Sequence, residues 1–313
     1  MAFHPGPLRR WFLLFLACTT LWSCTSTTFM YNRLDFILPW YIDDYADLDG
    51  EQEDYLDELL APFLAWHRAQ ELPLYVETLK RIEASLDEPA TEAGLEETWR
   101  EFEAAWFRLE DNALDWLLDL GGRLSDEQVK DFLEGLWEEQ AEFEEKYLER
   151  TDEEFYEDTL DNFIENGTDY LGRLSSEQRT MLEEYTKEMQ RSDAAWLADR
   201  AEWFEQLAVF LQREPGWQLR VREAVEARRG NSPEQYQAVY DHNLDVVGRA
   251  IVELLNSRTE KQDRHLRKKL ADLREDLETL VAQGLEAQAK KEKAAREKAR
   301  SEHQSAQESS VEQ

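Results

Sequence analysis

Histidine side chains, which could bind a metal or act in acid–base catalysis, are few and scattered along this chain of 313 residues. None of the histidines lies in a His-Glu-x-x-His arrangement, and none follows a glutamate by three residues, as helical zinc and di-iron sites require. We therefore expect no metal at a histidine, and we interpret His67, beside Trp66, as a structural residue that is either hydrogen-bonded or exposed. The five histidines are His4, His67, His242, His265 and His303.

The acidic segment 43–50 is a second candidate, because its carboxylates are spaced as in a calcium-binding loop. With Gly50 at position six of an EF-hand loop, positions one and twelve are Tyr45 and Leu56, where calcium needs oxygen ligands from carboxylates. We therefore reject a calcium site in this segment. The sequence also contains neither a glycine-rich phosphate loop nor a Gly-x-Ser-x-Gly nucleophile elbow. The sequence thus predicts a protein without a cofactor that is not an enzyme. A helical enzyme built on paired carboxylates, which leave no sequence signature, is the least favoured alternative.

Both cysteines lie near the N-terminus, in a segment with the features of a secretion signal. Arg9 and Arg10 precede an apolar run at 11–21, which is short for a membrane span but typical of a signal-peptide core. Residues 21–24 read Leu-Trp-Ser-Cys and resemble a bacterial lipobox, although Trp22 is atypical. The resemblance implies a signal peptide at 1–23, cleavage before Cys24 and acylation of Cys24, for example by palmitate. Cys18 is a poorer candidate, and a retained anchor helix is the alternative.

The lipobox also predicts where the protein is located. Thr25 follows Cys24, and by resemblance to Gram-negative lipoproteins a residue other than aspartate there implies the outer membrane, facing the periplasm. The membrane is then a partner through the lipid on Cys24. The mature chain keeps no free thiol, and a chain of this size can bury a core without disulfides.

Charge excludes one class of partner and divides the chain. The formal net charge is −33, and residues 43–190 contain 45 acidic and 12 basic residues. A chain this acidic has no general basic face for nucleic-acid phosphates. Residues 258–269 form a basic stretch, which either docks on the acidic helices or faces solvent. Acidic residues on a surface otherwise keep an anchored protein soluble or attract a basic, unfolded client.

Helical patterns dominate after the N-terminal segment, and they predict an all-α, elongated, irregular helical bundle with long amphipathic helices. Core residues from Trp99 to Leu120 recur at spacings of three and four, as in a coiled coil, and Gly121-Gly122 ends the run. Later patterns predict a break or kink at Asn166-Gly167, one helix over 175–213 ended by Pro215-Gly216, and one long helix from about residue 231 to Leu280. The predicted divisions are a tether and aromatic segment at 24–45, a helical body at 46–283 with an acidic part (46–190) and a charge-balanced part (191–283), and a frayed or disordered tail at 284–313.

The segment 24–45 is dense in aromatic residues, and two interpretations stay open. The side chains either pack back on the helical body or form a surface near lipid headgroups, where Trp and Tyr settle. The aromatic residues are Phe29, Tyr31, Phe36, Trp40, Tyr41 and Tyr45.

A short helix-start signature recurs along the chain. A leucine precedes Ser or Asp, and a glutamine follows the capping residue by three positions, which predicts a capping box with the leucine as a hydrophobic staple. A fourth copy, Ser232–Gln235, lacks the leucine and has Pro233 at the expected first helical position. The full copies are Leu48, Asp49 and Gln52; Leu124, Ser125 and Gln128; and Leu174, Ser175 and Gln178.

A motif near the start of the predicted mature chain, called the opening motif, resembles a known family. Its residues are Tyr31, Asn32, Arg33, Leu34, Asp35, Pro39, Trp40 and Tyr41. Together with the first helix-start signature, it is similar to the proteobacterial lipoproteins called domain of unknown function 6279, and the likeness is expected to run from the lipobox to about residue 283. This family implies a location and a mostly helical fold but no activity. The glutamine signature is also weakly similar to that of the Spy/CpxP-type periplasmic helical chaperones.

These observations predict a lipoprotein that is anchored in the outer membrane, faces the periplasm and has no catalytic activity. We expect it to bind other envelope proteins, as a chaperone or a scaffold. A structural envelope component that self-associates or contacts peptidoglycan is the alternative. The oligomeric state is left open.

Overall fold

The computed structural model describes residues 25–229 and 233–311. The described part of the chain is built of helices joined by short loops, without a strand, and forms an elongated bundle. The predicted all-α class is therefore confirmed. Cys24 and the predicted signal peptide lie outside the described residues.

Helices follow one another closely along the whole described chain. A π-helical segment, His67–Glu71, joins α3 to α4 without a break. The helices are α1 (Thr25–Tyr31), α2 (Leu34–Ala46), α3 (Gly50–Trp66), α4 (Leu72–Ser85), α5 (Glu92–Gly121), α6 (Asp126–Leu148), α7 (Asp152–Leu171), α8 (Ser176–Glu188), α9 (Asp193–Phe210), α10 (Trp217–Ala227), α11 (Glu234–Asn256) and α12 (Glu260–Val311).

Local capping explains why several helices begin where they do. The structure has capping boxes at the three full signatures, where Asp49, Ser125 and Ser175 each accept a backbone N–H from the glutamine three positions later. A box that we did not predict opens α7 at Thr151, with Glu154 as its third residue. Each box satisfies two backbone donors that a helix start otherwise leaves without a partner.

Several predicted helix boundaries were wrong, although α5 does end at Gly121. The helix predicted over 175–213 is interrupted after Glu188, because Asn243 of α11 captures the backbone N–H and C=O of Gln190 at 2.9 and 2.8 Å. The long C-terminal helix is likewise divided between Asn256 and Glu260, where a new helix cap forms.

Glycine and proline misled the prediction at two further places. Gly167 does not break α7, which continues to Leu171: a Cβ there would lie 3.1 Å from Leu174 and 3.2 Å from Leu254, so glycine serves close packing. Pro215-Gly216 does not end α9, which stops at Phe210; Gly216 instead has a φ of 83° just before α10. At Gly167, the side chains of Leu174 and Leu254 decide the outcome.

The apolar core is a series of clusters along the bundle. The largest joins α4, α7, α8 and α11 to the first half of α12, with Leu72, Leu182 and Leu280 almost fully buried. A second cluster, around Leu56 and Trp116, holds α3 against α5. No helix of the described chain combines the length and apolar character that a membrane span requires.

The basic stretch of α12 makes contacts within the chain. Arg267 pairs with Asp87 at 3.0 Å, Lys269 pairs with Asp169 of α7, and Arg258 donates to the carbonyl of Leu86 at 2.5 Å. These residues thus follow the docking alternative of the sequence analysis. From residue 284 the chain continues as the last part of α12.

Candidate functional site

The first two glutamine signatures meet in space. Within its own capping box, Gln52 Oε1 accepts the backbone N–H of Asp49 at 3.0 Å, and Gln128 Oε1 accepts that of Ser125 at 2.8 Å. The two amides also bond each other: Gln52 Nε2 donates to Gln128 Oε1 at 3.0 Å, and Gln128 Nε2 donates to Gln52 Oε1 at 2.7 Å. This pair, called the first clasp, joins the starts of α3 and α6.

A second clasp has the same design. Gln178 Nε2 donates to Gln262 Oε1 at 3.2 Å, and Gln262 Nε2 donates to Gln178 Oε1 at 2.8 Å, which joins the starts of α8 and α12. Gln262 Nε2 also donates to the carbonyl of Arg173 at 3.1 Å, and Gln178 Nε2 donates to that of Ser257 at 3.4 Å.

Backbone contacts make the two clasps alike in detail. In the first clasp, Gln52 donates to the carbonyl of Arg123 at 2.9 Å and Gln128 donates to that of Asp47 at 2.8 Å. In both clasps the accepting carbonyl lies five residues before the partner glutamine. Each amide N–H₂ group therefore reaches the partner side chain and the partner loop.

Sequence reasoning missed one member of these pairs. Thr259 and Gln262 form the capping box at the start of α12. The leucine signature did not identify this box, because Arg258 stands where the other copies have leucine. A Thr-x-x-Gln just before the leucine repeat of α12 was the signal that could have found it. Our fourth candidate was misplaced: Pro233 is the residue before α11 rather than its first residue, and Ser232 lies outside the described residues.

The opening motif attaches α1 to two distant parts of the body. The Tyr31 hydroxyl is hydrogen-bonded to His67 Nδ1 at 2.8 Å, and the two rings stack. Asn32 accepts from Arg68 at 2.8 Å and donates to Gln283 of α12 at 3.0 Å. Tyr31 and Asn32 therefore tie α1 to the π-helical segment and to α12.

The other motif residues lie on different sides of α2. Leu34 packs against the main core, and the Tyr41 and Tyr45 hydroxyls are 3.4 Å apart. Arg33 lies over the Phe29 ring, 4.3 Å from its centroid, while Asp35 and Trp40 are exposed. Pro39 stands within α2, partly buried. The aromatic segment thus contributes to both the body and the surface.

His67 is the most buried titratable ring of the described chain, with 3% of its surface exposed. Rings from Tyr31, Phe63, Trp66 and Tyr75 surround it at centroid distances of 5.7 to 6.5 Å. Burial, with a smaller contribution from Arg68, lowers the pKa of His67 to about 4. The imidazole is therefore neutral at pH 7 and serves as a hydrogen-bonded core residue.

Acid should destabilise the fold through His67. Its pKa is about 4 in the folded chain and about 6.5 when unfolded, so between these values the unfolded chain binds more protons. The contribution of the neutral imidazole to the free energy of unfolding is fully present above pH 6.5 and falls as the pH drops through this window. At pH 5 the free energy of unfolding is lower by about 2 kcal/mol. Urea unfolding at pH 7 and pH 5, compared between the wild type and His67→Gln, measures this contribution.

The His67→Gln chain should lose less stability than the wild type between these two pH values. Its carboxylates titrate in the same way, so the difference between the chains isolates the imidazole. Equal losses in both chains would contradict the assignment.

Four buried charged residues, Glu71, Glu110, Asp199 and Arg200, are matched by opposite charges on other segments. Arg108 of α5 binds Glu71 with three contacts of 2.8, 3.1 and 2.9 Å. Similar pairs join Glu110 to Arg229 at 2.7 Å, Asp199 to Arg228 at 2.7 Å, and Glu139 to Arg200 at 2.5 Å. Within the described residues, no group of three or more His, Cys, Asp or Glu side chains could hold a metal ion.

An open groove of about 490 Å³ runs between α6 and α9. Trp137 lies in it with 39% of its surface exposed, held edge-on against Phe204 at a centroid distance of 5.6 Å. Helix α6 carries nine acidic and two basic residues. The groove is lined by Asp126, Val129, Lys130, Leu133, Glu134, Trp137, Ala208, Leu211 and Gln212.

Comparison with known proteins identifies one family. The profile described as "Family of unknown function (DUF6279)" matches residues 44–237. The match includes the capping boxes at Asp49, Ser125, Thr151 and Ser175 but neither the motif from Tyr31 to Tyr41 nor Gln262, so it is shorter than we expected. No curated protein and no solved structure matches the chain.

Proposed function

The chain belongs to the family of unknown function DUF6279. We propose that it is a lipoprotein of the outer membrane that binds other envelope proteins in the periplasm. The groove between α6 and α9 is the observation that carries the binding role. It is open to solvent, and it has apolar lining residues and an acidic neighbourhood. Such a groove suits an extended chain better than a small molecule, which binds in enclosed pockets.

The chemistry of the groove defines the partner. Val129, Leu133, Trp137 and Leu211 offer apolar contact. The acidic residues of α6 attract lysine and arginine at long range. The occupant is therefore an unfolded or extended polypeptide segment in which apolar side chains alternate with basic ones.

The buried charges support a binding protein rather than an enzyme. A general acid or base must reach its substrate within hydrogen-bond distance. Glu71, Glu110 and Asp199 each bind an arginine of another segment, and His67 lies inside a cluster of aromatic rings. These groups hold helices together.

Aggregation assays test the groove. The chain from residue 25 should suppress light scattering by reduced, unfolded lysozyme, a basic client, at low salt. Suppression should weaken at about 1 M salt, where the screening length falls to about 3 Å. Trp137→Asp should reduce it several-fold, because the substitution places a charge among the apolar lining residues.

Leu74→Asp is the matched control, since Leu74 is 45% exposed on α4, away from the groove. This variant should suppress scattering as the wild type does. Absence of suppression by the wild type at every ratio would refute the binding role. A uniform loss in both variants would assign suppression to general surface effects and remove the groove from the proposal.

A further inference from the structure

Helices α1 and α2 present an aromatic stripe to solvent. Phe29, Phe36 and Trp40 are 54%, 72% and 65% exposed, and Arg33 lies between them in sequence, over the Phe29 ring. Phe36 and Trp40 are four residues apart and therefore share one side of α2. Arg33 interrupts the helix just before α2, with a φ of −118° and a ψ of 9°, and its guanidinium lies 4.3 Å from the centroid of the Phe29 ring, so that Phe29 is joined to the start of α2. We call these four residues the outer stripe.

The opposite side of α1 and α2 is already occupied. Tyr31 bonds His67, Asn32 bonds Gln283, and Thr28 donates to Asp276 of α12 at 3.2 Å. Ala46 and Leu48 enter the second core cluster near Trp116. Because these contacts fix the orientation of both helices, the outer stripe cannot turn inward without breaking them.

The chain before α1 indicates what meets the outer stripe. The apolar run 11–21 and Cys24 directly precede Thr25. Either alternative for that segment, an acylated Cys24 or a retained anchor helix, places residue 24 at a bilayer. At a rise of about 1.5 Å per helical residue, the fifteen steps from Thr25 to Trp40 extend over about 22 Å. The stripe therefore reaches lipid along its length only when the helices lie flat.

We propose that α1 and α2 lie along the membrane surface and insert the side chains of Phe29, Phe36 and Trp40 at the boundary of headgroups and acyl chains. Aromatic side chains, and tryptophan above all, settle at this depth. Arg33, whose guanidinium lies over the Phe29 ring, is then placed to bind a lipid phosphate through its N–H groups. The inference rests on the anchoring part of the proposed function, and it gives the helical body a fixed orientation above the bilayer.

Tryptophan quenching tests the contact in the full chain. The protein is reconstituted in vesicles of phosphatidylethanolamine and phosphatidylglycerol with brominated acyl chains, which quench tryptophan at the boundary. The wild type should show a quenched component that Trp40→Phe removes, by about the signal of one tryptophan. Trp137→Phe is the matched control and should leave that component unchanged. Trp11 and Trp22 are the same in all three chains.

Each outcome separates the anchor from the stripe. If the wild type does not float with the vesicles, the anchoring part of the proposed function fails. If it floats but Trp40→Phe leaves the quenched component unchanged, the stripe does not meet lipid and this inference is overturned. Crosslinking between copies through Phe36→Cys, together with unchanged quenching, would assign the stripe to a second copy instead.

Discussion

Replacing Arg108 with methionine is expected to lower the free energy of unfolding by about 3 kcal/mol. Glu71 is 2% exposed, and Arg108 is its only partner that we identify among the described residues. The substitution keeps most of the apolar stem but leaves a buried carboxylate without its cation. The lower end of the usual range applies, because Arg108 is itself 40% exposed. Urea unfolding at pH 7 measures the change.

Two further chains isolate the buried carboxylate. Glu71→Gln combined with Arg108→Met should recover a large part of the loss, since no charge is then left buried. Arg81→Met breaks the pair with Glu101, in which both side chains are more accessible (57% and 29%), and should cost much less than Arg108→Met. A double variant as unstable as Arg108→Met alone would show that lost packing, and not the charge, is responsible.

The second clasp should show strong coupling between two residues that are 84 positions apart. Gln178→Ala and Gln262→Ala should each cost about 2 to 3 kcal/mol, because each leaves buried polar groups of the partner box without hydrogen bonds. Both side chains are buried, at 4% and 5% exposure. In a double-mutant cycle, the double variant should be more stable than the sum of the single losses predicts, by about 1 to 2 kcal/mol.

The first clasp supplies the comparison for this cycle. Gln52→Ala and Gln128→Ala remove the same set of bonds, but several of them are open to water. Both single losses and the coupling should therefore be smaller than in the second clasp. Additive losses in the second clasp would contradict the paired-amide geometry.

Local chemistry explains the successful part of the sequence analysis. A capping box needs only a residue and the glutamine three positions later, so Ser125 with Gln128 could be read from the chain. Pairing between boxes depends on the approach of helices that are far apart in sequence. The Thr259 box was missed because its staple position holds Arg258 rather than leucine.

Errors in the helix boundaries have the same origin. Gln190 follows a segment with helical spacing, but Asn243 from another helix bonds its backbone and ends α8 nearby. Gly167 looks like a helix breaker in sequence, yet Leu174 and Leu254 pack against it and α7 continues. Propensity is a weak prior that tertiary contacts override.

By itself, the sequence determined the helical class, the capped starts of α3, α6 and α8, and the acidity of residues 43–190, since these depend on composition and on neighbours within a turn. Only the tertiary structure decided that Tyr31 turns inward to His67 while Phe36 and Trp40 face outward. Both sides of this segment are aromatic, so helical spacing alone does not distinguish them. The distinction comes from which side meets α12 and the π-helical segment.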